Sequence, residues 1–139
     1  MRTEPAIALD FGLKRVGVAT ATGGVITARK HLPARGGLPQ WSELDRLVRE
    51  YHPQVLVLGC PPRPAAELEV ALARFRGHLE RRYGLSVETV DEHLTTREAG
   101  AWLRERRSSG EQGRRARKGQ LDSLAACVIA RSWQEKQAG

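Results

Sequence analysis

The spacing of apolar residues changes between the first quarter of this chain and the rest, and that change limits the folds that it can adopt. Before residue 32, short apolar or β-branched runs are separated by glycine-containing turns, as is typical of strands joined in hairpins. These runs predict strands at Ala6–Phe11, Val16–Thr20 and Val25–His31. We therefore expect the chain to open with a three-strand antiparallel meander.

After a predicted Gly/Pro linker at Pro33–Pro39, apolar residues recur at helical spacing. The apolar residues of Trp41–Tyr51 predict one helix, and those of Leu68–Leu79 form one face of a second, with Gly84 following its end. Short strands follow these helices at Val55–Gly59 and Ser86–Val90. Strands connected through a helix pair in parallel, with a right-handed crossover. The order predicts an α/β fold: a mixed five-stranded sheet, made of the antiparallel meander plus parallel strands, with helices on both faces.

The length of 139 residues corresponds to a single domain, which we predict over 1–139. Thr95 and Glu98 match a capping box that begins a further helix, and Leu121–Ile129 carries the apolar stripe of a final helix. Between them, the polar, basic residues 108–118 predict a mobile loop. No apolar run is long enough for a transmembrane helix and no leader is evident, so we expect a cytosolic chain without a membrane partner.

The formal net charge of the chain is +7, and part of it is concentrated in one segment. Seven Lys or Arg residues, against two acids, lie between Arg104 and Lys118. A basic segment of this kind favours a polyanionic partner, of which nucleic acid is the commonest. A solvated charge run is the alternative interpretation.

Asp10 stands inside an otherwise apolar strand, where a carboxylate without partners is costly. Glu92 follows the last predicted strand beside Asp91, and Asp122 lies in the first turn of the final helix. Asp10 could cap a turn, and Asp122 could complement the helix dipole. Asp91 and Glu92 could form a solvated strand end. Because ligands gather beyond the carboxyl ends of parallel strands, a common cluster of these acids is also geometrically possible.

A cluster of carboxylates would suit Mg²⁺ or Mn²⁺, because these hard cations prefer oxygen ligands. Two such ions roughly 3.5–4 Å apart can activate a water molecule and stabilise the leaving oxygen of a phosphodiester. A polyanionic substrate would then need a basic rim, which Lys14, Arg15 and the segment Arg114–Lys118 could supply. The spacing of the acids alone does not establish such a site.

Three segments carry a more specific pattern, and each contains one or more of the acids: ALDFGLKRVGVA, DEHLTTREA and KGQLDSLAACVIARSW. Together they resemble the YqgF/RuvX family, a RuvC-like branch of the RNase H fold, from about Ala6 to Trp133. Resolution of Holliday junctions and maturation of the 5′ end of pre-16S rRNA are attributed to this family. The resemblance implies an RNase H-like fold and a metal-dependent endonuclease that acts on branched DNA or on pre-rRNA.

The resemblance also implies roles for individual residues. Asp10, Glu92 and Asp122 are expected to be catalytic and to bind Mg²⁺ or Mn²⁺, and a part for Asp91 is left open. Contacts to the substrate are expected from basic and hydroxyl residues in and around the same motifs. These residues are Lys14, Arg15, His93, Thr95, Thr96, Arg114, Arg115, Arg117 and Lys118.

The chain departs from the family pattern at two places. His93 stands where the family usually has arginine, although a histidine could still contact phosphate or move a proton near neutral pH. The loop after the fourth predicted strand contains Pro61, Pro62 and Pro64, where the family has a longer polar loop. This second departure puts the part of that loop in substrate binding in doubt.

Two other functions fit parts of the sequence. A nucleic-acid-binding module without catalysis would need only the basic segment. An ATPase or phosphotransferase of the actin-like class shares this fold, but 139 residues cannot build its two lobes. Its second phosphate-binding Asp-x-Gly turn is also missing. The sequence leaves DNA and RNA open as substrates, and a junction resolvase would be expected to form a homodimer because it must cut two strands symmetrically.

Overall fold

The computed structural model of the chain describes residues 4–61, 63–91 and 123–138. The opening strands and the later alternation of helix and strand agree with the order predicted from the sequence. In chain order, the strands and helices are β1 Ala6–Asp10, β2 Arg15–Thr22, β3 Val25–Arg35, β4 Leu38–Pro39, α1 Trp41–Tyr51, β5 Val55–Cys60, α2 Ala66–Tyr83, β6 Ser86–Asp91 and α3 Leu124–Ala138.

The strands form one mixed sheet in the order β4-β3-β2-β1-β5-β6. β1, β2 and β3 pair antiparallel as the predicted meander, whereas β1, β5 and β6 pair in parallel. β1 therefore lies in the middle of the sheet, with an antiparallel neighbour on one side and a parallel neighbour on the other. The predicted α/β class and the mixed character of the sheet are confirmed.

The sheet has six strands rather than the predicted five, and the difference lies in the segment predicted as a linker, Pro33–Pro39. β3 continues through the first part of that segment, and the chain then turns back as β4 along the end of β3. Gly36 and Gly37 make this turn, with φ angles of 60° and 86° that favour glycine. Pro39 is tolerated because β4 is an edge strand, so its missing N–H leaves no inner partner unsatisfied.

α1 has the bounds that helical periodicity predicts, and α2 is longer than its predicted apolar face, Leu68–Leu79. The polar residues that flank the apolar stripe continue the helix on both sides. α2 ends where Gly84 adopts a left-handed conformation with φ of 64° and donates its N–H to the Glu80 carbonyl. The apolar periodicity thus located the buried face of α2, and the predicted end of this helix before Gly84 is confirmed.

Helices cover both faces of the sheet, as predicted, and they define an α1/α2 face and an α3 face. Large aliphatic residues form most of the core on the α1/α2 face. On the α3 face, the strands contribute mainly alanine and valine. The core on the α1/α2 face contains Ile7, Leu9, Val16, Val18, Leu32, Leu44, Leu47, Leu56, Leu58, Leu72, Phe75, Leu79 and Val87. The core on the α3 face contains Ala6, Ala8, Ala19, Ala21, Val55, Val57, Val90, Ala126, Cys127, Ile129, Ala130 and Trp133.

Polar contacts also hold α3 against the sheet. Trp133 donates its indole N–H to Glu88 on β6 at 2.9 Å. Gln134 donates its side-chain amide to Glu4 at 2.8 Å, just before β1 begins. These contacts fix α3 relative to both β1 and β6.

A second polar cluster joins α1 to α2 on the other face of the sheet. Arg82 donates two hydrogen bonds to Asp45, at 2.8 and 2.7 Å, and the Tyr83 hydroxyl donates to the same carboxylate at 2.6 Å. The hydrogen bond from Arg82, followed by that from Tyr83, lowers the pKa of Asp45 to about 2. Asp45 is thus a carboxylate with a structural role on the face opposite α3.

None of the described helices is both long and apolar enough to cross a membrane. The helix predicted from Thr95, the mobile loop predicted at 108–118 and the first residues of the predicted final helix lie outside the described residues. The single domain over 1–139 therefore stays a prediction.

Candidate functional site

Asp10 is the last residue of β1, the strand in the middle of the sheet. Side chains alternate between the faces of a strand, and Ala6 and Ala8 belong to the α3 face. Asp10 has the same parity, so its side chain lies on the α3 face. Because Asp10 ends β1, it lies where the C-terminal ends of the parallel strands meet, and ligands bind at this end in sheets of this kind.

The strand positions on either side of Asp10 are both glycine. Asp10 pairs with Gly17 on β2 and with Gly59 on β5. Both glycines are buried, and the pairing gives them the same face as Asp10. Opposite residues on one face have Cβ atoms about 4.5–5.5 Å apart, so a side chain at either position would stand against the carboxylate. Neither neighbouring strand therefore places a side chain beside Asp10, and we call these two side-chain-free positions the recess.

Burial raises the pKa of Asp10 from its ordinary value of 3.8 to about 6. No hydrogen bond or ion pair to this carboxylate comes from the described part of the chain, so nothing there offsets the cost of ionisation. In the metal-free protein, ionised Asp10 therefore lowers the free energy of unfolding at neutral pH. Groups of this kind cluster at functional sites.

A divalent cation would supply the compensation that the described residues do not give Asp10. Mg²⁺ and Mn²⁺ prefer carboxylate oxygen, and Asp10 offers it in a half-buried position where the paired strand positions carry no side chain. Within residues 4–61, 63–91 and 123–138, no three His, Cys, Asp or Glu side chains come together as a metal-binding group. Glu92 and Asp122, the two other predicted ligands, lie outside those ranges. Asp10 fits the role of one ligand, and the metal-binding roles of all three acids stay predictions.

The parallel strands β5 and β6 end beside Asp10. Gly59 pairs with Val90, and Cys60 pairs with Asp91, the last residue of β6. Val90 belongs to the α3 face, so the alternation of the strand places Asp91 on the opposite face from Asp10. Asp91 therefore lies at the same end of the sheet as Asp10, but its side chain is on the opposite face.

Ser123, the residue before α3, has a contact that the sequence pattern did not indicate. Its hydroxyl accepts a hydrogen bond from the Val18 amide at 2.9 Å, and the side chain is completely buried. Val18 directly follows Gly17, the β2 partner of Asp10. The start of α3 is thereby fastened to the sheet beside Asp10. The only sequence signal for this was that Ser123 directly follows the predicted ligand Asp122.

Two of the predicted substrate-binding residues, Lys14 in the turn after β1 and Arg15 at the start of β2, are both exposed. The Leu13 carbonyl accepts a hydrogen bond from the Gly37 amide at 3.0 Å. The Lys14 carbonyl accepts one from the Ala34 amide at 2.9 Å. These bonds fasten the turn to the β3–β4 hairpin and hold the two cationic residues at the edge where β1 ends.

Gly12, in the same turn, has no room for a side chain, because a Cβ there would lie 2.6 Å from the Arg15 carbonyl oxygen. We expect Gly12→Ala to lower the free energy of unfolding by about 1–3 kcal/mol, the usual cost of overpacking. Gly77→Ala is the matched control, because Gly77 lies inside α2 and its Cβ would meet only the flexible end of Arg81. Alanine should raise stability there by about 0.5–1 kcal/mol. Urea denaturation measures both changes, and equal stability of the two variants would show that the turn relaxes around the added methyl group.

The remaining predicted contacts to the substrate lie outside the described residues. They are His93, Thr95, Thr96, Arg114, Arg115, Arg117 and Lys118. The structure thus brings Asp10, Lys14 and Arg15 to the same end of the sheet, and the substrate contacts of all the predicted residues, Lys14 and Arg15 included, stay predictions.

The chain matches a known family over almost its whole length. Residues 4–136 match RuvX, described as a Holliday junction resolvase. A relative from Hahella chejuensis is 36% identical over 137 residues, which cover 95% of this chain and 84% of the relative. A relative from Aeromonas hydrophila is 35% identical over 145 residues, which cover 100% of both chains. Both relatives carry the provisional name of pre-16S rRNA nuclease.

Solved structures of resolvases share the fold. RuvC of T. thermophilus in complex with a Holliday junction substrate superposes with a TM-score of 0.62 at 12% identity, over 96% of each chain. The fowlpox virus resolvase in complex with Holliday junction DNA also gives a TM-score of 0.62, at 11% identity, over 98% of this chain and 100% of the resolvase. These similarities confirm the predicted RuvC-like, RNase H-like fold.

Proposed function

The chain belongs to the RuvX family of nucleases, and from this membership we propose that it is a divalent-metal-dependent endonuclease that hydrolyses phosphodiester bonds in structured nucleic acid. The observation that carries the proposal is the environment of Asp10. This half-buried carboxylate has a raised pKa at the end of the central strand, between two glycines. A purely structural aspartate would be expected to have hydrogen-bond partners, as Asp45 has, and residues 4–61, 63–91 and 123–138 offer Asp10 none.

Chain connectivity supports the convergence of the other proposed ligands on Asp10. Asp122 is joined by one peptide bond to Ser123, and consecutive Cα atoms are about 3.8 Å apart. Ser123 is hydrogen-bonded to the residue after Gly17, which is the cross-strand partner of Asp10. Glu92 directly follows β6, two strands from β1 or about 10 Å at the usual strand spacing. From these connections along the chain we propose that both acids join Asp10 at the metal site.

The chemistry proposed for this site is phosphodiester hydrolysis. When bound, divalent cations activate a water molecule for attack at phosphorus and stabilise the leaving oxygen. Asp10 would hold the cation at a point fixed by the backbone of the central strand. Lys14 and Arg15 would bind phosphates beside the scissile bond, which positions the substrate without selecting a base sequence. The recess beside Asp10 would admit the phosphate.

We propose the 5′ end of pre-16S rRNA as the first substrate to test, because relatives that match over their full length carry that name. A four-way DNA junction is the second candidate, and the description of the matching family favours it. The two substrates imply different assemblies. Symmetric cuts in two strands of a junction would require a homodimer, whereas cleavage of a single RNA strand would not.

Side-by-side cleavage separates these candidates. A labelled pre-16S 5′ leader and a labelled four-way junction are incubated with the same protein in Mg²⁺, Mn²⁺ or EDTA, and the products are mapped to the nucleotide. Single cuts in the leader would assign the RNA substrate, and paired cuts across the junction would assign resolvase activity. Binding of both without metal-dependent products would identify a nucleic-acid-binding module without catalysis and overturn the proposal.

The basic segment 104–118 is proposed to hold the phosphate backbone of the substrate. We expect simultaneous replacement of Arg114, Arg115 and Arg117 with Gln to weaken binding. The slope of log affinity against log salt concentration should become shallower by roughly 0.7–0.9 for each lost phosphate contact. Fluorescence anisotropy at several salt concentrations measures this slope.

The matched control removes the same charge from α1 and α2, by replacing Arg46, Arg49 and Arg81 with Gln. These arginines are exposed, and their helices cover the side of the sheet opposite Asp10. The control should leave the slope nearly unchanged. Equal slopes for the two triple variants would show that net charge, rather than the basic segment, attracts the substrate.

A further inference from the structure

Ser123 and Thr20 carry the buried polar side chains among the described residues. The Thr20 hydroxyl accepts a hydrogen bond from the Arg29 side chain at 3.1 Å, on the α1/α2 face of the sheet. The Ser123 hydroxyl instead accepts from the backbone of β2 at 2.9 Å, on the α3 face. The two buried hydroxyls therefore satisfy donors on opposite faces, and only one of them lies near Asp10.

Ser123 directs its hydroxyl away from the helix that it precedes. A serine before a helix usually accepts a hydrogen bond from an amide in the first turn of that helix. Here the Ser123 carbonyl accepts from the Cys127 amide at 3.1 Å and so begins the helical hydrogen-bond ladder. The hydroxyl accepts from Val18, 105 positions away in the chain. The contact thus joins α3 to the sheet, which goes beyond stabilising the helix alone.

The Ser123 contact is made where the regular pairing of the sheet is interrupted. β2 and β3 shift register between Val16 and Val18, and Gly17 lies inside this interval. Gly17 is also the partner of Asp10 on the other side of β2. The start of α3 is therefore attached to the sheet one residue from the recess.

We propose that Ser123 is a positioning residue for the metal site: its hydroxyl fastens the start of α3 to β2 beside Asp10, and with it the end of the chain segment that carries the proposed ligand Asp122. This inference rests on the proposed function, in which both acids are metal ligands. The peptide bond between Asp122 and Ser123 limits how far the acid can move once the hydroxyl is held. Hydrogen bonds that orient ligands in this way typically change metal affinity by 10–100-fold.

The positioning role and a merely structural role predict different measurements. Loss of a buried hydrogen bond lowers stability in either case, because a buried amide is left without its partner. Only the positioning role predicts that metal affinity falls as well. Thr20→Val is the matched control, since it removes the other buried hydroxyl, on the face away from Asp10. Ser123→Thr keeps the hydroxyl while it adds a methyl group to a completely buried position.

The experiment compares wild-type protein with Ser123→Ala, Ser123→Thr and Thr20→Val, each shown to be folded by circular dichroism. Mn²⁺ affinity is measured without nucleic acid by electron paramagnetic resonance, and exchange of the Val18 amide is measured in metal-free protein. We expect Ser123→Ala to bind Mn²⁺ roughly 10–100-fold more weakly and to exchange the Val18 amide faster. Ser123→Thr and Thr20→Val should lose stability and keep close to wild-type affinity.

The outcomes separate this inference from the proposed function on which it rests. Wild-type Mn²⁺ affinity in Ser123→Ala would overturn the positioning role and leave the proposed function intact. Equal losses of affinity in Ser123→Ala and Thr20→Val would also overturn it, because the effect would then follow stability alone. No Mn²⁺ binding by the wild-type protein would overturn the proposed function itself.

Discussion

Asp10→Asn is expected to lower the rate of metal-dependent cleavage by about 10³-fold or more while substrate binding is largely kept. Asparagine preserves the size of the side chain but removes the charge that attracts a hard cation. Metal ions contribute several kcal/mol of transition-state stabilisation, and each 1.36 kcal/mol corresponds to a tenfold change in rate. Single-turnover cleavage rates and fluorescence anisotropy with labelled substrate measure the two quantities separately.

The matched control makes the same substitution at Asp45. This carboxylate is held by Arg82 and Tyr83 on the opposite face of the sheet, and it has no part in the proposed site. Asp45→Asn should cleave at the wild-type rate and lose some stability. Wild-type cleavage by Asp10→Asn would remove Asp10 from the site, whatever the control does.

The raised pKa of Asp10 predicts that the same substitution changes the pH dependence of stability. Burial holds the pKa at about 6 in the folded protein, against an ordinary value of 3.8. Between these two values the folded protein binds a proton that the unfolded chain has released. Its free energy of unfolding therefore falls as the pH rises from about 4 to about 6 and then levels off, with a total loss of up to about 3 kcal/mol.

Asparagine does not titrate, so Asp10→Asn should lack this loss. We expect its stability relative to wild type to be higher at about pH 7.5 than at about pH 4. Urea denaturation of both proteins in EDTA at the two pH values measures the difference. A stability difference that does not change with pH would show that the pKa of Asp10 is not raised in the metal-free protein.

Phe75→Ala is expected to cause a large loss of stability, about 3–5 kcal/mol. Phe75 on α2 is completely buried, and its ring centroid lies 5.1 Å from that of Phe11 and 6.0 Å from that of Trp41. The substitution would leave a cavity beneath Phe11, the residue that follows Asp10. For a domain of this size the melting temperature should fall by roughly 10–25 °C.

Val70→Ala is the control for Phe75→Ala, because Val70 lies on the same helix with 70% of its surface exposed. Its effect should stay within about 0.5 kcal/mol. Differential scanning calorimetry compares the two variants with wild type. A melting temperature of Phe75→Ala within a few degrees of the control would contradict the burial of this ring in the core.

The strands and helices that were best predicted from the sequence are those long enough to show apolar periodicity within their own residues. α1 has an apolar face along its whole length, and its bounds were predicted correctly. β4 has only the residues Leu38–Pro39, too few to show any periodicity. It forms because Gly36 and Gly37 turn the chain back onto the edge of β3, and this pairing could not be foreseen from local spacing.

In the candidate site, too, local sequence pattern indicated one residue, whereas its neighbours depend on contacts between distant parts of the chain. Asp10 could be singled out from the sequence because an acid inside an apolar strand violates the local pattern. Gly17 and Gly59 become its neighbours only through the registers of β1 with β2 and β5. The contact of Ser123 with Val18 joins residues 105 positions apart. Such long-range pairings depend on the assembled sheet, so the surroundings of Asp10 could not be derived from periodicity.

Mn²⁺ titration of isotope-labelled protein without nucleic acid is the most direct test of a metal at Asp10, because Mn²⁺ broadens the NMR signals of nearby nuclei. Gly17 and Gly59 flank Asp10, whereas Gly24 lies at the far end of the β2–β3 hairpin. In wild type, the amide signals of Gly17 and Gly59 should broaden first while that of Gly24 persists. In Asp10→Asn all three should persist. Equal broadening of Gly17 and Gly59 in both proteins, or none in wild type, would contradict a metal site at Asp10.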